Sequence, residues 1–144
     1  MGTTTVTWIK DKQFVSTDST SHSIVISSTS DNVGMKPSEL LQSALGSCTA
    51  FDVVNVLTKR RQKLVDLEVS VEGTQQEENP WTFTHFHIHY KFTGVNLDPK
   101  EVEKAIHLSE EKYCSVSATL SKAAEITWDY EIVDAADYAP YSTR

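Results

Sequence analysis

The segment from Ser38 to about Lys59 constrains the fold of this chain most, because its apolar residues recur at helical spacing around most of the circumference. A helix that is apolar on several sides is usually buried on more than one side. Two small sheets cover such a helix poorly, so we expect a second chain to cover part of it. The apolar positions are Leu40, Leu41, Ala44, Leu45, Cys48, Phe51, Val54 and Leu57.

The segments on either side of this helix predict strands. Residues 3–28 are rich in Thr, Val, Ser and Ile with alternating stretches, which predicts two or three antiparallel strands. After the helix, residues 63–75 and 81–94 predict two more strands, and the acidic turn QEENP joins them.

A second helix is predicted to begin at Asp98 and Pro99 and to run to about Tyr113. Asp98 suits the N-cap, Pro99 the first helical position, and Glu101 follows three residues after the cap. Residues 125–133 predict a last strand. The order βββ-α-ββ-α-β predicts a mixed α+β fold, and the lack of repeats and linkers predicts one domain over residues 1–144.

Charge and composition exclude several classes of partner. Thirteen basic residues against 20 acidic ones give a net charge of −7, which repels a phosphate backbone and an anionic membrane surface. We therefore expect no nucleic-acid partner. The N-terminal residues MGTTTVTWIKDKQ lack the apolar region of a signal peptide, and we expect no membrane span. A cytoplasmic location is expected, where a disulfide is more often catalytic or regulatory than structural.

The chain has two cysteines, and each has a plain alternative to a catalytic role. Cys48 lies inside the predicted apolar helix, where an unpaired cysteine often packs as a small hydrophobic residue. Cys114 follows the charged turn of the second helix, where a half-buried thiol at a helix end is equally compatible with the pattern. The sequence contains no CxxC motif, and the spacing of the two cysteines fits no metal motif.

The two cysteine segments together resemble a known family. GMKPSELLQSALGSCTAFDVV and LDPKEVEKAIHLSEEKYCSVSATLSKAAEITWDYEI resemble the OsmC/Ohr family of peroxide-reducing and osmotically induced proteins. The resemblance implies an OsmC-like fold in an intertwined homodimer, with two active sites at the subunit interface. It also implies a role in defence against oxidative or osmotic stress.

The same resemblance implies roles for both cysteines. Cys48 matches the cysteine that attacks the peroxide, and Cys114 matches the one that resolves the product. A thiolate attacks the O–O bond, the resulting sulfenic acid condenses with the second thiol, and an external dithiol reductant restores the pair. The implied substrate is a small hydroperoxide, and no cofactor is expected.

Two features of this chain differ from the family pattern. Family members place an Arg near the thiolate from the N-terminal region, whereas this chain has no Arg before Arg60. The family Glu stands ten residues before the cysteine, where this chain has Ser38, and Glu39 is nine before it. Ser38 and Glu39 are therefore possible supporting residues at the site. On a regular helix, nine positions place Glu39 about 180° from Cys48.

Two residues of the second helix are candidates for supporting roles at the site. Glu110 and His107 lie four and seven residues before Cys114, within about 40° of its face, and could orient a proton there. A solvated charged face is the alternative explanation for both residues.

The alternating histidines of HFHIHY would share one face of a strand, where imidazoles can bind zinc or copper. A simpler explanation is a core face opposite them, so we predict no functional metal on this strand. The histidines are His85, His87 and His89, and the predicted core face is Phe86, Ile88, Tyr90 and Phe92.

Three functions remain open from the sequence. The first is a thiol-dependent peroxidase that reduces organic hydroperoxides or hydrogen peroxide. The second is a non-enzymatic dimer that binds a small apolar or acyl ligand in the interface cleft. The third is a redox sensor whose disulfide between Cys48 and Cys114 changes its shape.

Overall fold

The computed structural model describes residues 2–137 and divides the chain into two compact units, residues 1–41 and 42–144. The first unit contains three antiparallel strands in the order β1-β2-β3. Many apolar side chains of this sheet are exposed, and Trp8 is 64% exposed. The strands are β1 (Thr5–Lys10), β2 (Gln13–Thr17) and β3 (Ser23–Ser27).

The predicted long helix is α1, Pro37–Lys59, which begins one residue earlier than expected. By length and composition α1 could cross a membrane, which corrects the expectation that no segment reaches that hydropathy. In the second unit, however, its inward side chains Leu45, Val53 and Leu57 are fully buried in the hydrophobic core. α1 is therefore a core helix of this fold.

The second sheet supplies the other side of that core. It has the order β4-β5-β6, with β4 antiparallel to β5 and β6 parallel to β5. The predicted apolar face of β5 is confirmed, since its four side chains are at most 1% exposed. The strands are β4 (Lys63–Gln75), β5 (Phe83–Val95) and β6 (Glu125–Asp134), and the buried face is Phe86, Ile88, Tyr90 and Phe92.

The second helix begins as predicted but ends differently. Asp98 caps α2 (Pro99–Leu108) by accepting the backbone N–H of Lys100 at 2.9 Å. Instead of continuing as α-helix to Tyr113, the chain widens into a π-helical turn over Ser109–Tyr113. A short helix, α3 (Ser115–Leu120), follows, and the mixed α+β fold is as expected.

The three histidines line the outer face of the second sheet, opposite the core. Asp129 Oδ1 lies 3.0 Å from His87 Nε2 and 2.8 Å from His89 Nδ1, and Glu131 approaches His89 Nε2 at 3.3 Å. The Asp129 and Glu131 hydrogen bonds raise the pKa of His89 above its ordinary value of 6.5. The same contacts lower the pKa of Asp129 below its ordinary 3.8.

We predict that Asp129→Asn destabilises the protein at mildly acidic pH only. The raised pKa of His89 gives stability that is complete below 6.5 and is lost as the pH rises through the folded-state value. The lowered pKa of Asp129 gives stability that is complete above 3.8 and is lost as the pH falls through its own folded-state value. Thermal melts should therefore show a lower Tm for Asp129→Asn at pH 5.5, by about 1–3 °C for an exposed pair.

At pH 9 the melts of Asp129→Asn and wild type should coincide. Glu125→Gln, on the same strand face, removes a carboxylate from the sheet edge and should leave Tm unchanged at both values. An equal loss in Asp129→Asn at pH 5.5 and 9 would contradict the ion-pair explanation.

Candidate active site

The two thiols, which are far apart in the sequence, lie together in the second unit. The Sγ atoms of Cys48 and Cys114 and a carboxylate oxygen of Asp52 all lie within 4.8 Å of one another. Both cysteines are free thiols; Cys48 is half-buried, whereas Cys114 is 2% exposed. Since a disulfide has its sulfurs about 2.05 Å apart, a modest movement would suffice to join them.

A turn of α1 and the π-helical turn bring these groups together. Asp52 follows Cys48 by four positions on α1, so one turn of helix places both on the same face. The π turn places Cys114: its backbone N–H bonds to the carbonyl of Ser109 at 2.9 Å, five residues back. The chain then becomes extended at Cys114, and the Cys114 Sγ accepts the N–H of Ser117 at 3.2 Å.

The surroundings of Cys114 favour its neutral form. Burial raises the pKa of its thiol well above the ordinary value, and the neighbouring Cys48 raises it further. The negative charge of Glu110 acts in the same direction, and the N–H of Ser117 acts against it. Cys114 is therefore a protonated thiol near neutral pH.

A continuous chain of hydrogen-bonding groups runs beside the thiols. Ser109 Oγ donates to Asp52 Oδ2 at 2.8 Å and lies 2.9 Å from Thr49 Oγ1. Thr49 Oγ1 is 2.6 Å from Tyr90 Oη, which approaches Glu110 Oε1 at 3.3 Å. The chain thus links a carboxyl group next to both thiols with a second one on the π turn.

The three hydroxyl groups of this chain carry fewer protons than the chain has contacts. Burial raises the pKa of Tyr90 above its ordinary value of 10, so its hydroxyl stays protonated. The three hydroxyls of Tyr90, Thr49 and Ser109 supply one proton each to four contacts. Three protons can therefore make only three of the four contacts hydrogen bonds at a time, and each hydroxyl can reorient between its two neighbours.

The other residues suggested by the sequence are placed as follows. Glu110 joins the site, and its second oxygen accepts the hydroxyl of Ser117 at 2.6 Å. His107 instead packs edge-on against the Trp128 ring, with centroids 5.2 Å apart. In the first unit, Glu39 pairs with Lys36 at 3.2 Å.

The sequence proposed both cysteines and Glu110 as site residues, and the structure brings them close together, but the sequence did not point to the polar residues between them. Only Asp52 carried a local signal, since it follows Cys48 by one helical turn. Ser38 was suggested as a supporting residue and lies, half-buried, in the first turn of α1. The missed residues are Thr49, Asp52, Tyr90, Ser109 and Ser117.

Two open cavities meet at Asp52. One, of about 690 Å³, is lined by apolar and polar side chains of α1 in similar number and by Leu67 of β4. The other, of about 410 Å³, is lined by Tyr113 and by basic side chains. The apolar lining includes Ala50, Phe51 and Val54, and the basic lining is Lys59, Arg60 and Lys104.

Comparison with known proteins identifies relatives of this chain. Residues 29–129 match the family described as OsmC-like protein. Protein YhfA of Escherichia coli K12 is 40% identical over 130 residues, which cover 90% of this chain and 97% of YhfA.

Two solved structures show the fold. A hypothetical protein of Aquifex aeolicus has a TM-score of 0.84 at 28% identity, covering 93% of this chain and 97% of its own. The organic hydroperoxide resistance protein OhrB of Bacillus subtilis has a TM-score of 0.60 at 14% identity, covering 90% and 98%. The fold class is thereby confirmed.

We predict that Tyr90→Phe destabilises the protein by about 1–2 kcal/mol, because it removes a buried hydroxyl shared by Thr49 and Glu110. Urea denaturation measures the change. Tyr130→Phe is the matched control, since the Tyr130 hydroxyl bonds to Glu103 at the exposed surface and should cost less than about 1 kcal/mol. Equal losses in the two variants would contradict a special role for the buried chain.

Proposed function

Since the chain belongs to the OsmC-like protein family, we propose that it is a thiol-dependent peroxidase that acts through Cys48 and Cys114. Its substrates are organic hydroperoxides or hydrogen peroxide, and its role is defence against oxidative or osmotic stress. The observation that carries the proposal is the approach of both thiols and Asp52 to within 4.8 Å. The name of the Bacillus subtilis relative, organic hydroperoxide resistance protein, supports the substrate class.

Cys48 is the attacking thiol, because it is half-buried while Cys114 is 2% exposed. The Cys48 thiolate attacks one peroxide oxygen and breaks the O–O bond. Two electrons pass to the peroxide, the leaving alkoxide takes a proton to become an alcohol, and Cys48 becomes a sulfenic acid. The proton comes from water, which the two open cavities admit as far as Asp52 beside the thiols.

Cys114 completes the first half of the cycle. Its sulfur attacks the sulfenic sulfur of Cys48, forming a disulfide, and the hydroxide leaves with the Cys114 proton as water. An external dithiol then reduces the disulfide by two exchange steps and is itself oxidised. We place this cycle in the cytoplasm, where such reductants keep thiols reduced.

The larger cavity supports an organic substrate. Phe51, Val54 and Leu67 line a space of about 690 Å³ that reaches Asp52 beside the thiols. An alkyl or aryl group in this space would lie next to Asp52, whose carboxylate is within 4.8 Å of both sulfurs. The same cavity favours a second candidate function, in which the chain binds a small apolar or acyl ligand without turning it over.

A homodimer is part of the proposal, with both units forming one OsmC-like domain in each chain. The family match spans residues 29–129 and so crosses the boundary between the units. Phe51 of α1 is 78% exposed and Val54 is 41% exposed, an unusual state for neighbours on an apolar helix. A second copy would cover them.

We predict that Cys48→Ser abolishes peroxide turnover. With the attacking sulfur removed, stopped-flow consumption of an organic hydroperoxide in excess dithiol should fall to the uncatalysed rate. Ser43→Ala, which changes an exposed residue of the same helix outside both cavities, should keep wild-type turnover. Wild-type protein that is indistinguishable from Cys48→Ser would favour the ligand-binding function.

We predict that Cys114→Ser permits one oxidation of Cys48 without the resolving step. In the absence of external thiol, one equivalent of peroxide should convert Cys48 to a sulfenic acid that a dimedone probe traps for mass spectrometry. Wild-type protein treated in the same way should contain the intramolecular disulfide instead. Rapid loss of the sulfenic acid in Cys114→Ser would contradict the assigned role.

We predict an obligate homodimer whose dissociation coincides with unfolding, because large apolar interfaces rarely separate into folded subunits. Sedimentation at micromolar concentration should give a dimer for wild type and a smaller or unfolded species for Phe51→Asp. Ser121→Asp adds the same charge at an exposed turn after α3 and should remain dimeric. A folded wild-type monomer would remove the prediction.

A further inference from the structure

We propose that the reduced protein binds one zinc ion per chain through Cys48, Asp52 and Cys114, and that this site and the disulfide exclude each other. The binding site does not require peroxidase activity, although it uses the same thiols. Within residues 2–137, this is the one group of three potential ligands whose donor atoms come so close together.

The ligand atoms suit zinc in kind and in spacing. Zinc is borderline-soft and takes thiolates and carboxylates in a tetrahedral arrangement, with Zn–S distances of about 2.3 Å and hence sulfurs about 3.8 Å apart. The three donor atoms lie within 4.8 Å of one another, so they need move only about 1 Å to surround one ion. Hard cations such as magnesium prefer oxygen ligands and would not use the sulfurs.

Two of the ligands come from one helical turn. Cys48 and Asp52 are four residues apart on α1, the spacing by which helical metal motifs present two ligands on one face. Cys114 comes from a separate element, at the end of the π turn. A site closed by two elements forms only in the folded chain, so metal binding should also stabilise the fold.

Neighbouring groups already orient two of the ligands. Ser109 donates to Asp52 Oδ2 at 2.8 Å, which fixes the carboxylate and leaves its other oxygen for a metal. The N–H of Ser117 donates to Cys114 Sγ at 3.2 Å, which fixes the position of the sulfur. Outer contacts of this kind are typical of zinc sites.

His87 and His89 of β5 have no ring nitrogen left free for a metal. Both ring nitrogens of His87 have partners in the sheet, with Nδ1 at 2.7 Å from Thr127 Oγ1 and Nε2 at 3.0 Å from Asp129 Oδ1. Both ring nitrogens of His89 are likewise within 3.3 Å of Asp129 and Glu131. A metal on this strand would have to displace those contacts.

The two open cavities give a metal ion access to the site. Asp52 lines both open cavities, which give an ion a route to the site and room for a water as fourth ligand. Binding displaces the protons of two thiols into solution.

One hydrogen peroxide molecule could then oxidise the two bound sulfurs to a disulfide, take up two protons to form two waters, and release the zinc. Only this last step depends on the proposed function.

Metal titration of tag-free, fully reduced protein without peroxide tests the site. Cobalt should give one equivalent of thiolate-to-metal absorption in the near ultraviolet, and zinc should bleach it. Competition with a chromophoric chelator should show zinc affinity reduced about tenfold or more in Cys48→Ser, Cys114→Ser and Asp52→Asn. Asp52→Glu keeps a carboxylate and should retain the cobalt absorption. His87→Ala, the control for the histidine strand, should bind as wild type.

The possible results distinguish failure of the proposed zinc site from failure of the proposed peroxidase activity. Absence of the cobalt absorption in reduced wild type, unchanged zinc affinity in Asp52→Asn, or loss of zinc in His87→Ala would each overturn the zinc site. Circular dichroism checks the fold of every variant, and Asp52→Asn, whose side chain is half-buried, provides the test where a cysteine variant unfolds. Protein that binds zinc but, once the zinc has been removed, does not consume peroxide in excess dithiol would support the site and refute the peroxidase.

Discussion

The buried hydrogen bonds among Thr49, Tyr90 and Ser109 are the interaction on which the site depends. They join α1, β5 and the π turn, three elements that are remote in sequence. A hydroxyl buried without a partner costs about 1–3 kcal/mol, so a shift of any one element would carry a penalty that apolar packing alone does not impose. The register set by these hydroxyls brings the face of α1 that bears Cys48 and Asp52 against the segment that bears Cys114.

The π turn makes that meeting possible. A regular α-helix through Tyr113 would close each turn with a bond four residues back, whereas the N–H of Cys114 reaches the carbonyl of Ser109. The wider turn keeps Ser109 and Glu110 in the polar chain while Cys114 caps the next helix through its sulfur. π turns occur frequently at functional sites, and here one places a thiol beside a chain of hydrogen-bonded side chains.

We propose two chemistries for one cluster of residues. Peroxide reduction requires a reachable Cys48 and a nearby thiol, and zinc binding requires those sulfurs together with Asp52. Both start from the reduced state, and each removes the thiols needed by the other. Zinc bound to the pair would thus protect the sulfurs and limit turnover, and oxidation would release the metal.

The sequence by itself determined the elements. Alternation at period two predicted β4 and the buried face of β5, helical spacing predicted α1, and Asp98 predicted the start of α2, because each pattern reflects contacts between near neighbours. Only the tertiary structure decided the parallel pairing of β5 with β6, the π turn, and the polar chain beside the thiols. These features depend on hydrogen bonds between residues that are far apart in the sequence, such as Thr49 and Ser109, 60 positions apart. The spacing of apolar residues within one element does not predict such bonds. The physical reason is that burial pairs polar groups by position in space, whereas spacing along the chain reports only which face of its own element a residue occupies.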